Sequence, residues 1–112
     1  MFRVLLVATA LLMTSMSQAA VQEKAVTYSY EGDVKMTGFL YWDDAVQGKR
    51  PGVLVIHEWW GLNDYAKKRA RMLAELGYVA FAADMYGDNK VTTQREQASG
   101  WMQEVTADVE GW

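Results

Sequence analysis

Two kinds of apolar spacing divide the chain beyond residue 20. Alternation comes first, then an unbroken aliphatic run followed by a helical period. Ala25 to Tyr30 (AVTYSY) and Val34 to Trp42 (VKMTGFLYW) predict two strands, turning at Glu31-Gly32-Asp33 into an antiparallel hairpin. Asp43 to Arg50 is a polar surface connection, and Pro51 after it opens a third strand, Gly52 to Glu58. The aliphatics Val53 to Ile56 predict that this strand is buried on both faces. Asn63 is placed to cap a helix from Asp64 to about Leu76, with Gly77 ending it in a left-handed conformation. Ala66, Ala70 and Leu73, with Tyr65, Met72 and Leu76 beside them, form the expected inward stripe; Asp64, Lys67, Lys68, Arg71 and Glu75 take the other side. Tyr78 to Met85 (YVAFAADM) is a fourth strand, so strand, helix and strand make a right-handed crossover between parallel strands. Thr92 to Asp108 has helical composition. The fold class is α/β: an antiparallel hairpin followed by a parallel strand-helix-strand unit.

The first residues change the reading of where the protein works. Arg3 precedes an apolar stretch from Val4 to Met13, and Ser17-Gln18-Ala19 offers small residues to a signal peptidase. Residues 1–19 are expected to be a signal peptide cleaved before Ala20, leaving residues 20–112 as one exported domain, periplasmic in a Gram-negative source. The apolar stretch is well short of the roughly twenty residues a transmembrane helix needs, so no membrane association is expected after cleavage. Losing Arg3 takes the formal net charge from −3 to −4, which argues against nucleic acid as a partner. Cysteine is absent and there is one histidine, so thiol catalysis and a multi-imidazole metal site are excluded within a single copy; no metal or cofactor is expected.

Chemistry is concentrated at the end of the third strand. Val53-Leu54-Val55-Ile56 is followed at once by His57-Glu58-Trp59-Trp60-Gly61-Leu62-Asn63. In open α/β sheets, ligands bind at the carboxyl ends of the strands. A zinc-protease helix would need a second histidine where Gly61 stands, and a phosphate loop or dinucleotide fingerprint would need further glycines around Gly61. The remaining reading is an α/β-hydrolase, in which the loop after the third strand donates a backbone N–H to the oxyanion hole. The nucleophile elbow of that fold, G-x-S-x-G or its cysteine equivalent, occurs nowhere in the sequence.

The segments Pro51 to Leu62 (PGVLVIHEWWGL), Ala70 to Ala80 (ARMLAELGYVA) and Ala83 to Gly87 (ADMYG) resemble the amino-terminal part of the dienelactone hydrolase family. The resemblance spans roughly Val26 to Lys90. It implies a partial α/β-hydrolase fold and a hydrolase of ester or lactone bonds working by nucleophilic acyl transfer in its full-length form. The family's nucleophile, aspartate and histidine lie beyond the matched segment, so the chain is expected to be an amino-terminal half that lacks the triad and is inactive alone. The alternative is a truncated, non-catalytic protein that binds a ligand or partner.

The resemblance gives Glu58 the place of a glutamate that tunes the nucleophile, and gives Trp59 the place whose backbone N–H helps form the oxyanion hole. Trp60 and Tyr86 are the expected substrate-binding walls. Family members with a carboxylate-bearing substrate carry an arginine shortly after Asp-x-Tyr; Asp84-Met85-Tyr86 is followed here by Gly87-Asp88, which implies a neutral small-molecule ester or lactone. His57 is read as a packing or hydrogen-bonding residue, because its position is not that of the triad histidine. Asp84 and Tyr86 are expected to fix the loop after the fourth strand, and Lys67, Lys68, Arg69 and Arg71 to form a solvated helix face. The family's strand order also implies an open sheet edge at Val53 to Ile56, a route to self-association.

Overall fold

The computed structural model describes residues 20–30, 32–108 and 110. The expected signal peptide lies outside these residues. Strands β1 (Val21–Tyr30), β2 (Val34–Asp43), β3 (Gly52–Ile56) and β4 (Val79–Ala83) form one sheet in the order β1-β2-β4-β3, with helix α1 (Asp64–Glu75) between β3 and β4 and helix α2 (Arg95–Ala107) after them. β1 pairs antiparallel with β2 from Val21↔Asp43 to Tyr30↔Val34, and β3 pairs parallel with β4 from Gly52↔Val79 to Ile56↔Ala83. No helix of the described residues is long and apolar enough to cross a membrane.

The elements are those expected, with shifted ends. β1 begins at Val21 rather than Ala25, because the first residues of the hairpin ladder are paired with β2 even where their side chains, Gln22, Glu23 and Lys24, are polar. β3 stops at Ile56, before His57 and Glu58, and β4 stops at Ala83, where Asp84 starts a turn. α2 starts at Arg95 rather than Thr92.

Helix α1 forms where the capping chemistry allows it. The Asn63 side chain accepts a hydrogen bond from the Ala66 N–H at 3.1 Å. At the other end Gly77, at φ +98°, sends its N–H to Ala74 while Tyr78 donates to Leu73, the paired arrangement that satisfies the last carbonyls of a helix. The buried line is Ala66, Ala70 and Ala74, flat enough to seat the helix on Tyr41, Ala80 and Ala82 of the sheet, with Phe39, Val55 and Leu73 packed at the edge of that core. Tyr65, Met72 and Leu76, expected beside the inward stripe, are exposed instead. Of the cations placed on the solvent side, Arg71 is exposed as expected and Lys67 is half-buried, and both also reach over the sheet. Lys67 lies 4.1 Å over the Phe39 ring, while Arg71 lies 5.3 Å over Tyr41 and pairs with Glu23 at 2.6 Å. Their long stems roof the sheet while the charges stay near water.

The expectation that β3 is buried on both faces is not met. Val53 and Val55 are half-buried on the α1 side, but Leu54 and Ile56 are 62% and 52% exposed. Two features cause this: β3 lies at the sheet's edge, and no element of the described residues lies flat on the face opposite α1. Leu54 and Ile56, with Phe81, Ala83, Met36, Tyr28 and the end of α2, line an open groove of about 610 Å³ there.

Candidate functional site

The loops leaving β3 and β4 are fastened to each other. Gly61, at φ +94°, pairs with Val91 in an isolated antiparallel bridge, and a β-carbon at this position would collide with the Lys90 carbonyl. Glycine is required by both the backbone angle and the close approach. The Thr92 N–H donates to the Trp60 carbonyl at 3.0 Å, and the Gly61 N–H turns back to the Glu58 carbonyl at 3.2 Å.

Asp84 organises the second loop. Its carboxylate is 1% exposed and accepts four backbone N–H groups: Thr37 at 3.0 Å and Asn89 at 2.9 Å on one oxygen, Tyr86 at 3.2 Å and Gly87 at 3.0 Å on the other. A buried carboxylate is tolerated when its lone pairs are met in this way. The Asp84 backbone is held in turn by Tyr28, whose hydroxyl accepts the Asp84 N–H at 2.9 Å and donates to the Asp84 carbonyl at 3.1 Å. Burial raises the Tyr28 pKa, so the hydroxyl keeps the proton this pairing needs. The expected role of Asp84 in fixing the loop therefore has a visible basis, including contacts to β1 and β2.

His57 joins the two loops. The Met85 N–H points at its Nε2 at 3.0 Å, which requires a lone pair there and places the ring proton on Nδ1, 2.6 Å from the Glu58 carbonyl. Both ring nitrogens are thus engaged by backbone. Tyr86 stands against the imidazole, with ring centres 4.8 Å apart, and its hydroxyl donates to the Trp59 carbonyl at 2.8 Å. Burial raises the Tyr86 pKa and keeps it a donor. On its other side Tyr86 meets Trp101 of α2 at 5.6 Å, over which Lys90 lies at 5.3 Å.

The four residues expected to carry the site fall in three places. Glu58 is exposed and lines a small cavity of about 140 Å³ beside His57, Asn63 and Arg69 at the start of α1. Trp59 and Trp60 are half-buried and meet edge to face at 5.2 Å. Tyr86 reaches Trp59 through its hydroxyl and also borders the larger groove, whose walls include neither tryptophan nor Glu58. While the carbonyls of Glu58, Trp59 and Trp60 are all held, the Trp59 N–H meets no acceptor among the described residues. His57 does hydrogen-bond and Tyr86 does fasten a loop, as expected, but their partners could not be read from the sequence because they are backbone atoms. Among the described residues, no group of three or more His, Cys, Asp or Glu side chains could hold a metal ion.

The chain is similar to known proteins over most of its described length. The profile of the dienelactone hydrolase family matches residues 36–111. A provisionally assigned hydrolase fragment of Escherichia coli (strain K12), YghX, is 42% identical over 60 residues, covering 53% of this chain and 51% of its own. The solved structure titled m3DLH superposes with a TM-score of 0.76 at 41% identity, covering 83% of this chain and 38% of that one. That of P91, titled a dienelactone hydrolase-like promiscuous phosphotriesterase from metagenomic libraries, gives 0.74 at 42% identity with the same 83% and 38% coverage. The chain thus spans about half the length of the E. coli relative and well under half of either solved structure.

Proposed function

The chain belongs to the dienelactone hydrolase family, and we propose that it supplies the oxyanion side of an ester- or lactone-hydrolysing site whose nucleophile, aspartate and histidine come from outside the matched segment. The observation that carries this reading is the Trp59 N–H, unpaired among the described residues at the carboxyl end of β3, in a loop whose neighbouring carbonyls are fastened. When a nucleophile adds to an acyl carbonyl, the π electrons move to oxygen; a preorganised N–H stabilises that charge until the carbonyl re-forms and the alkoxide leaves. Glu58, exposed one residue earlier, acts on the nucleophile's proton affinity. Trp60 and Tyr86 give the substrate apolar walls. The carboxylate of Asp88, exposed on the neighbouring loop, favours a neutral ester or lactone over an anionic one. P91 is titled a phosphotriesterase, and a neutral phosphotriester also develops charge on an oxygen that such an N–H can meet.

The test has two arms. The mature chain alone is expected to leave p-nitrophenyl acetate unhydrolysed; turnover abolished by a serine-directed inhibitor would contradict the missing nucleophile. Joined to the complementary segment of a full-length relative, the chain is expected to hydrolyse the ester, and Glu58→Gln to slow that chimera about 10²-fold without unfolding it. An unchanged rate across the pH profile would make Glu58 a structural residue.

A second reading, non-catalytic binding of a ligand or of another copy of the chain, is favoured by the open groove and by Leu54 and Ile56 on the edge strand. Size-exclusion chromatography with hydrogen exchange tests binding of another copy: association with added protection at Val53 to Ile56 supports it, and a monomer whose unpaired β3 amides exchange rapidly opposes it. Export is part of the same proposal. Mass spectrometry of the secreted protein is expected to find Ala20 as the first residue, and an intact Met1 start would remove the signal-peptide reading.

A further inference from the structure

We propose that His57 is a positioning residue for the Glu58–Trp59 peptide, with Tyr86 performing the same service for the peptide that follows. The inference rests on the oxyanion reading of Trp59. A trans peptide is a rigid plane with its C=O and N–H pointing in opposite directions, so holding one end aims the other. The Glu58 carbonyl is held twice, by His57 Nδ1–H at 2.6 Å and by the Gly61 N–H at 3.2 Å. The opposite end of that plane is the Trp59 N–H. The next plane is held by the Tyr86 hydroxyl on the Trp59 carbonyl at 2.8 Å.

The imidazole can do this only as the Nδ1–H tautomer, and the chain enforces that tautomer from a distance. Met85 N–H, two residues past β4, occupies Nε2 at 3.0 Å. Met85 follows Asp84, whose carboxylate gathers four N–H groups and whose backbone is gripped by Tyr28. The buried aspartate thereby fixes the proton position on a ring it does not touch. Donation to the Glu58 carbonyl also polarises the peptide and makes the Trp59 N–H a stronger donor.

Isotope-labelled full chain, titrated with sodium acetate against sodium chloride at equal ionic strength, tests this. In the wild type the His57 ring is expected to show a protonated Nδ1 and a bare Nε2, and acetate to move the Trp59 amide resonance saturably. His57→Asn keeps a donor near the Nδ1 position and should retain both the Glu58 carbonyl ¹³C shift and the acetate response. His57→Gln reaches toward Nε2 instead and should lose both, and Tyr86→Phe should displace the Trp60 amide first. Asn and Gln variants that behave alike would overturn the proposal, as would an Nε2–H tautomer in the wild type. A wild-type Trp59 amide indifferent to acetate, alongside a Glu58 carbonyl that still depends on His57, would remove the oxyanion reading and leave the positioning role standing.

Discussion

The two faces of the sheet are built from alternate residues of the same strands and have opposite fates. Under α1, Ala80 and Ala82 of β4 and Tyr41 of β2 are closed off by a helix whose contact line is three alanines. On the reverse, Leu54 and Ile56 remain mostly exposed, with Phe81 and Met36 bordering an open groove. The face with the larger aliphatic side chains on β3 is therefore the one that the described residues leave uncovered. Alanine on the helix permits close approach, so burial follows what lies over a strand rather than how apolar the strand is. Fully burying an exposed aliphatic side chain is worth about 1.5–3 kcal/mol, and Leu54 and Ile56, already partly covered, would each gain roughly half of that from a cover.

Four perturbations sharpen this contrast, the largest at the loop that follows β4. Asp84→Ala would strand four backbone N–H groups, one buried and three part-buried, the buried one costing roughly 1–3 kcal/mol and the others less. Urea denaturation is expected to show a loss that leaves little folded chain. On the closed face, Ala70→Leu should cost about 1–3 kcal/mol by overpacking against the sheet.

Tyr41 gives a smaller effect. Its hydroxyl is buried with no hydrogen-bond partner among the described residues, and burial, reinforced by the Glu23 charge, pushes its pKa to about 12. Because the folded-state value lies above the unfolded one, the associated stability is complete below pH 10 and is lost as pH rises from 10 toward about 12. Discounted for solvent screening, the loss is on the order of 1 kcal/mol and should disappear in Tyr41→Phe, read as denaturation midpoints at pH 9 and 11.5. Leu54→Ser should change stability least, within about 0.5 kcal/mol, as expected of an exposed position. A cost matching that of Ala70→Leu would mean that the open face is covered in solution.

The strand-helix-strand unit was legible in the sequence because its signals are local: the apolar run Val53 to Ile56, the Asn63 cap, and Gly77 past the helix end. The open edge at β3 followed from the family's strand order and is where the sheet ends. Local signals failed where tertiary contact decides. Nothing in Gln22-Glu23-Lys24 reads as strand until β2 pairs with it, and the helical period could not reveal that Ala74, rather than Met72 or Leu76, would be buried. At the site, the motif singled out the Glu58-Trp59 step. It could not show that Asp84 gathers an N–H from Thr37, or that Tyr86 reaches back to the Trp59 carbonyl, since those partners lie 47 and 27 residues away.

The most direct measurement replaces the Glu58–Trp59 amide with an ester by semisynthesis, in the chain joined to the complementary segment of a full-length relative, and follows p-nitrophenyl acetate hydrolysis. That exchange deletes the Trp59 N–H, weakens the Glu58 carbonyl as an acceptor and leaves every side chain in place. If the Trp59 N–H is the oxyanion donor, kcat should fall about 10²–10³-fold with KM little changed. An undiminished kcat in a folded chimera would contradict it.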